Sequence, residues 1–379
     1  MGANAVSERI SEEERELLKE SAARLFERAG GLARSRRLRW RRPSLDRAIW
    51  KEMAEAGLLG LMLPEEAGGA GLGPRAAATV TEQLGRQVVP EPLVASTVLA
   101  GGLLAAQGTG AARALLVRLA GGEALPILAW QERGHDGLRP RHTVLERGVL
   151  RGAKSWVLCA EMADPLLVTA LEGEEPVLCA LSADAGGLIA EHRRSADGRF
   201  LSELRFDEVR VPEDAVLARG ARVSAALARA LDHATALSAV EMVGASAAAF
   251  EMTIAYLKTR KQFGRPIGSF QALQHRAVDL LVHLEVARAT MEEVLREMER
   301  DPEPRRRALL ASRAKARAGE LGRRICRETI QMHGALGYTD EYDLGLFVNR
   351  LVTLSAWLGD DASHRRRWLA LADPGEAAG

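Results

Sequence analysis

The stretch YLKTRKQFGRPIGSFQ (residues 256–271) carries Arg260, Gln262 and Phe263 in a junction rich in Arg, Lys, Gly and Pro. A guanidinium pairs with phosphate, and a side-chain amide bonds either a phosphate or a ring edge, so this junction suits a phosphate-bearing ligand. The competing reading is an ordinary helix–helix connection with helix-end charges. A second stretch, ETIQMHGALGYTDEYDLG (328–345), places Gly334 at a helix C-cap with Gly337 and Tyr338 close behind. Backbone at glycine can approach a flat or anionic ligand closely. His333 is either a ligand or base, or a packing histidine.

Two carboxylate positions can bear on proton chemistry. In LSAWLGDDA (354–362), Asp360 and Asp361 follow Trp357, Leu358 and Gly359. Such a run is either an active-site turn with a carboxylate base or a surface turn before a solvated last helix. Glu241 lies in ALSAVEMVGAS, among small and apolar residues. A glutamate there is a buried acid or the partner of a buried arginine, because unpaired buried carboxylates are costly.

The elements that must position these residues follow from periodicity. Residues 1–124 read as a helical domain, opening with a Ser11 cap candidate ahead of early glutamates and helically spaced Leu17, Leu18, Ala22, Leu25 and Phe26. From 125 to 218 short apolar runs of strand length sit between Gly, Asp and Pro, which predicts a middle β domain, a barrel or sandwich. From 219 to 379 the chain is helical again. Its first long Ala-rich pattern has a possible break at His233 or Thr235, two further long helices follow, and one short helix ends the chain. The fold class is therefore α+β, closed by a C-terminal four-helix bundle.

Composition narrows the function classes. Fifty-two Lys and Arg against 51 Asp and Glu give a net charge of +1, so no global field favours nucleic acid or an anionic membrane. Cys159, Cys179 and Cys326 form no C-x-x-C pair, and their odd number argues against a disulfide scaffold and for a reducing, cytoplasmic setting. The N-terminal residues lack the apolar core of a secretory signal, and no uncharged apolar run is long enough to predict a membrane span.

RKQFGRPIGSFQALQHRAVDL followed by QMHGALGYTDEYDLG resembles the acyl-CoA dehydrogenase family, and so do MAEAGLLGLMLPEEAGGAGL and RFDEVRVPEDAVL. The resemblance spans nearly the whole chain. It implies helical–β–helical architecture, FAD, an acyl-CoA thioester substrate and α,β-desaturation. It also implies an electron-transfer flavoprotein or similar acceptor, and a homodimer, a homotetramer or a heterotetramer with a second acyl-CoA dehydrogenase subunit. By motif, Arg260, Gln262 and Phe263 would hold FAD, with Arg260 on the pyrophosphate. Gln331 and Gly334 would meet the FAD of a neighbouring subunit. GAKSWVLCA is similar to the strand that backs the flavin ring, which singles out Trp156 and Leu158. LAWQERGHD stands where the family has Glu-Pro-Gly-Ala-Gly-Ser-Asp. Gln131 and Glu132 match it loosely, while Arg133 and His135 depart from it.

Desaturation removes a proton from Cα and a hydride from Cβ. The base is a carboxylate whose pKa is best raised toward neutrality by burial. Most family members carry it in a Tyr-Glu-Gly-Thr segment near the C-terminus. Matched on the glycine, Trp357 takes the tyrosine position and Leu358 that of the glutamate, so either Asp360 or Asp361 would have to reach in from a shifted turn or the base lies elsewhere. A minority place the base on the helix leading to the Arg-Lys-x-Phe-Gly motif, at the position of Ala234. Glu241 lies two turns further along nearly the same helix face. The expected catalytic residues are therefore Glu241 or Asp360. The alternatives are a non-catalytic subunit of a heteromeric dehydrogenase, or another flavin reaction on the same scaffold.

Overall fold

The computed structural model describes residues 10–134 and 138–372. Six helices lead: α1 (Glu12–Arg28), α2 (Gly31–Leu38), α3 (Arg47–Glu55), α4 (Pro74–Gln87), α5 (Gly101–Ala105) and α6 (Gly110–Ala120). A π-helical stretch, Val94–Ala100, runs into α5. Eight strands follow: β1 (Ile127–Ala129), β2 (Val144–Glu146), β3 (Val149–Leu158), β4 (Leu166–Glu172), β5 (Glu175–Leu181), β6 (Leu188–Arg194), β7 (Phe200–Arg210) and β8 (Val216–Arg219). The chain then returns to helices: α7 (Ala221–Thr259), α8 (Gln271–Glu299), α9 (Pro304–His333), α10 (Leu344–Ala356) and α11 (Asp361–Ala372). It forms two compact units. One comprises Met1–Arg37, Pro74–Val89 and Thr235–Gly379; the other comprises Leu38–Gly73 and Pro90–Ala234.

In the helical unit, α1 starts on a capping box. The Ser11 hydroxyl accepts from the Glu14 amide, and the Glu14 carboxylate accepts from the Ser11 amide. Helices α4 and α7 touch through paired glycines. A Cβ on Gly85 would lie 2.0 Å from the Glu241 carbonyl oxygen, and one on Gly244 would lie 2.3 Å from the Glu82 carbonyl oxygen. Only glycine at both positions lets the two backbones approach this closely, and the approach seals the flank of α7 that carries Glu241.

The other unit is built on one mixed sheet, ordered β6-β7-β3-β2-β4-β5-β8, with β1 parallel to β4. The β3–β7 ladder is antiparallel and slips register between Leu150 and Gly152 and again between Lys154 and Val157. Trp50 on α3 is fully buried, and its indole N–H donates to the Ala124 carbonyl at 3.2 Å.

Two local expectations are corrected. Helix α7 runs unbroken through His233 and Thr235, because neither residue removes a backbone donor and the flanking alanines propagate the helix. The single short last helix is in fact two, α10 and α11, divided at Trp357–Asp360. By length and composition α7 could cross a membrane, but 78% of its most apolar window is buried inside the protein, as in a core helix.

Candidate functional site

The residues after α7 form a small hairpin. Lys261 and Gln262 pair antiparallel with Pro266 and Arg265, and Phe263 and Gly264 occupy the turn with φ of +54° and +80°. Positive φ at both central residues matches strand twist, but it is uncommon for a bulky residue such as phenylalanine. The turn leaves Phe263 91% exposed. Arg260 and Gln262 are exposed beside it, and neither side chain has a hydrogen-bond or ion-pair partner among the described residues. A cation, an amide and an aromatic ring are thus displayed together on a short hairpin.

The second segment is fastened to the base of that hairpin. Tyr256, one turn before the end of α7, stacks on His333 with ring centroids 4.4 Å apart, and its hydroxyl donates to the His333 carbonyl at 3.5 Å. His333 is buried, and its Nδ1 lies 2.8 Å from the Thr329 carbonyl oxygen, to which it donates. Burial pushes its imidazole pKa down, so it packs as a neutral ring. Gly334 follows with φ +61° and ψ −139°, a conformation that essentially only glycine adopts. Gln331 and Gly334 are both exposed. Tyr256 was not singled out by its sequence; its spacing from Arg260 was the available signal.

In the sheet unit, the β3 register slip places Trp156 at φ +59° and leaves its indole 52% exposed, with the Arg133 guanidinium 5.9 Å from the ring centroid. Leu158 is buried two residues on. The Gln131 carbonyl accepts from the Ser155 amide at 2.9 Å, so Gln131 is held against the strand that carries Trp156. Glu132 is the anchor of this corner. It accepts from the amides of Arg141, His142 and Thr143 and from the Lys154 ammonium at 2.9 Å. Burial opposes its ionisation, but Lys154 and those backbone donors outweigh it, and the carboxyl falls to about 2. His135 lies outside the described residues.

The carboxylates are both engaged. Glu241, 3% exposed, accepts a 2.6 Å hydrogen bond from Arg350, itself 1% exposed. Asp360 is exposed and caps α11, its carboxylate accepting from the Ser363 amide at 2.7 Å; that capping holds its pKa below the usual carboxylate range. Leu358 sits between them in sequence at φ +61°, followed by Gly359 at φ +96°. Two buried side chains pin this turn. Lys315 donates to the carbonyls of Leu354 and Trp357 at 2.6 and 2.7 Å and to the Ser238 hydroxyl at 3.1 Å. The His364 Nε2 lies 2.8 Å from the Leu358 carbonyl oxygen. Neither Lys315 nor Arg350 stands out in the sequence: Arg350 is a lone cation in the apolar run FVNRLV, which is an available signal, but Lys315 lies between Arg313 and Arg317 in ASRAKARAG and carries none.

Burial depresses the Lys315 ammonium from 10.5 to about 7. The native state then resists a charge that the unfolded chain carries, so the penalty is complete below pH 7 and is relieved as pH rises toward 10.5. Wild-type stability should therefore gain on that of Lys315→Met across this window, by at most about 1.4 kcal/mol per pH unit. Urea unfolding midpoints at several pH values check this, and parallel curves for the two proteins would count against it.

Comparison with known proteins agrees with this architecture. Residues 12–123 match the acyl-CoA dehydrogenase N-terminal domain and residues 223–370 match the C-terminal domain. The chain is 32% identical to the acyl-CoA dehydrogenase IpdE2 of Mycobacterium tuberculosis, over 89% of this chain and 91% of that protein. It is 31% identical to the probable acyl-CoA dehydrogenase YngJ of Bacillus subtilis, over 77% and 81%. Among solved structures, a chain of the Tcur3481-Tcur3483 steroid ACAD superposes with a TM-score of 0.85 at 31% identity, covering 97% of this chain and 99% of that one. With the hairpin, the glycine-capped helix end and the exposed strand tryptophan in place, these matches show that the chain belongs to the acyl-CoA dehydrogenase family of FAD-dependent oxidoreductases.

Proposed function

We propose that this chain takes part in the α,β-dehydrogenation of an acyl-CoA thioester. The observation that carries the reading is the hairpin showing Arg260, Gln262 and Phe263, fastened through Tyr256 and His333 to the helix end that bears Gln331 and Gly334. These groups fit FAD: Arg260 would pair with its pyrophosphate, Gln262 would bond a phosphate or ring edge, and the open backbone at Gly334 would admit a flat or anionic group. Taken by itself, the sheet unit would offer Trp156 to back a flavin ring, with Gln131 and Leu158 on or beside its strand, as the family resemblance implies. Bound FAD supplies the hydride acceptor. Gln331 and Gly334 would serve the flavin of a neighbouring subunit, in a homodimer, a homotetramer or a heterotetramer. The electron acceptor would be an electron-transfer flavoprotein or a protein like it, in a cytoplasmic setting. A polycyclic acyl group is the substrate class to test first, because the 31%-identical solved relative is named a steroid ACAD.

A second reading concerns the proton. Glu241 is held by Arg350, Asp360 is held by the start of α11, and Leu358 cannot accept a proton. Arg350 would have to release Glu241 before that carboxylate could meet a substrate proton, and capping already holds the Asp360 carboxyl below the usual carboxylate range. These commitments favour a heteromeric assembly in which a second subunit supplies the base. The chain purified alone should be yellow and should keep its flavin colour under anaerobic acyl-CoA, then bleach once the second subunit is co-expressed. Bleaching of the lone chain, abolished per folded, flavin-loaded molecule in Glu241→Gln, would instead make Glu241 the base.

A further inference from the structure

Beside the β6–β7 hairpin, the sheet unit holds a cationic corner that no flavin or acyl-CoA assignment uses. The guanidinium carbons of Arg194 and Arg42 lie 4.7 and 5.9 Å from the centroid of one ring, Phe200. The same Arg194 lies 5.9 Å from the Trp40 ring. The scaffold is rigid. Arg194 Nη1 donates to the carbonyls of Gly198 at 3.2 Å and Arg41 at 3.3 Å, and also to that of Arg39. A Cβ on Gly198 would meet the Arg39 Cβ at 2.2 Å, so the hairpin tip is pressed against the 38–46 loop. Arg42 has no hydrogen bond or ion pair among the described residues.

Both arginines are exposed, so solvent screens their mutual repulsion, and an anion held at this corner would be attracted by both charges. The nearby acids supply that anion poorly. Asp197 is bound by Arg199 at 2.7 Å in a buried pair, and Glu191 is bound by Arg193 at 2.8 Å. Glu161 is mostly buried; its Oε1 accepts from the Ser44 hydroxyl at 3.2 Å, and its Oε2 is buried with no partner. Burial outweighs the hydrogen bonds from its own backbone amide and from Ser44, and the weaker pull of the two arginines, and raises this carboxyl to about 7. In its protonated form, Glu161 offers a buried O–H that lacks an acceptor. Two cations and one acid proton in need of an acceptor are what an oxyanion satisfies.

We propose that Arg42, Arg194 and Glu161 form a binding site for an oxyanion of the phosphate class. Binding requires the Glu161 proton, because an ionised Glu161 would compete with the anion for both arginines. The other charged or titratable groups around this corner are His192, Asp46, Arg47, Arg39, Asp197 and Arg199. Of these, His192 is kept neutral at and above neutrality by burial and by Arg42, and its Nδ1 lies 2.7 Å from the Ser202 hydroxyl. The proposal does not depend on the dehydrogenase reading.

The test is calorimetric titration of the full chain with sulfate, whose charge is constant near neutrality, at matched ionic strength on either side of pH 7. Wild type should bind sulfate more weakly on the alkaline side. Glu161→Gln should bind equally on both sides, since its amide donates without acquiring charge. Arg42→Met should weaken binding by about tenfold or more, as expected for the loss of a charge-assisted contact. Arg42 makes no hydrogen bond that the hairpin needs, so this variant tests the site even if Arg194→Met unfolds. Inorganic phosphate binding as tightly as adenosine 3′,5′-bisphosphate would mark a free-anion site, and preference for the bisphosphate would mark a nucleotide-bearing ligand. Unchanged sulfate affinity in Arg42→Met, or the wild-type pH dependence surviving in Glu161→Gln, would overturn the proposal.

Discussion

Replacing Arg350 with methionine is expected to destabilise the protein by about 3–5 kcal/mol, the range seen when one partner of a buried ion pair is removed. Both partners are almost fully buried, and the pair spans 109 positions of sequence, so it fastens α10 to α7. Arg350 also donates to the carbonyls of Val89 at 2.9 Å and Val88 at 3.4 Å, just past the end of α4. Val88 has φ +52°, an outlying conformation for a β-branched residue. One guanidinium thus satisfies a carboxylate and two loop carbonyls, and methionine would strand all three in a water-free interior.

Glu241→Gln should cost less, about 1–3 kcal/mol, because an amide oxygen can still accept while the charge assistance is lost. The double variant Glu241→Leu/Arg350→Met should recover part of the single-variant loss, since apolar replacement of a whole buried pair is often neutral. With Glu241→Leu added as the matching single variant, urea unfolding of wild type, Glu241→Leu, Arg350→Met and the double variant gives the coupling directly. An Arg350→Met protein within about 1 kcal/mol of wild type would remove the structural role assigned to the pair. The same series separates the two roles of Glu241: the ion pair costs stability in either case, but flavin reduction per folded molecule survives in Glu241→Gln if the acid is structural only and is lost if it is the base.

Which features were legible in the sequence depends on how local their causes are. The capping box at Ser11 and Glu14 lies three residues apart, and the periodicity of α8 and α9 repeats over eight turns, so both are written in short windows. The turn ahead of the last helix was only half readable: Gly359 and Asp360 are a stop and a start side by side, but the sequence left the run open between an active-site turn and a surface turn and did not show α10 as a separate helix. The supposed break at His233 had no such cause: no proline or glycine stands there, and the helix continues. The motifs around Arg260 and Gly334 were found from residue type and spacing, but the Tyr256–His333 stack that joins them spans 77 positions. Glu241 was open between base and ion-pair partner for the same reason. Its surroundings in sequence are apolar, and the arginine that decides its environment lies over a hundred residues away.

Leu358→Glu is expected to give the lone, flavin-loaded chain an acyl-CoA-dependent reduction at least about a hundredfold faster than wild type, the lower end of what a positioned general base contributes. The turn, rather than the residue it now carries, is what would position a base here. Lys315 fixes the carbonyls of Leu354 and Trp357, His364 fixes that of Leu358, and Asp360 fixes the start of α11. Backbone on both sides of position 358 is therefore held by groups that the substitution leaves untouched. Leucine at φ +61° bears a backbone cost of about 1–2 kcal/mol, which glutamate would bear equally, so the exchange adds no new strain. The leucine is only half-buried, so a carboxylate there keeps partial access to water, and the apolar acyl group would raise its pKa only once bound. Leu358→Gln supplies the control, matching the size and polarity of glutamate without the basicity. Stopped-flow reduction of the three proteins under anaerobic conditions reads the effect. Equal rates for the glutamate and glutamine variants, with flavin content and unfolding midpoints unchanged, would show that the turn does not present position 358 to the substrate. In that case the missing base would not explain an inactive lone chain, and a requirement for a second subunit would have to arise from completion of the flavin site through Gln331 and Gly334.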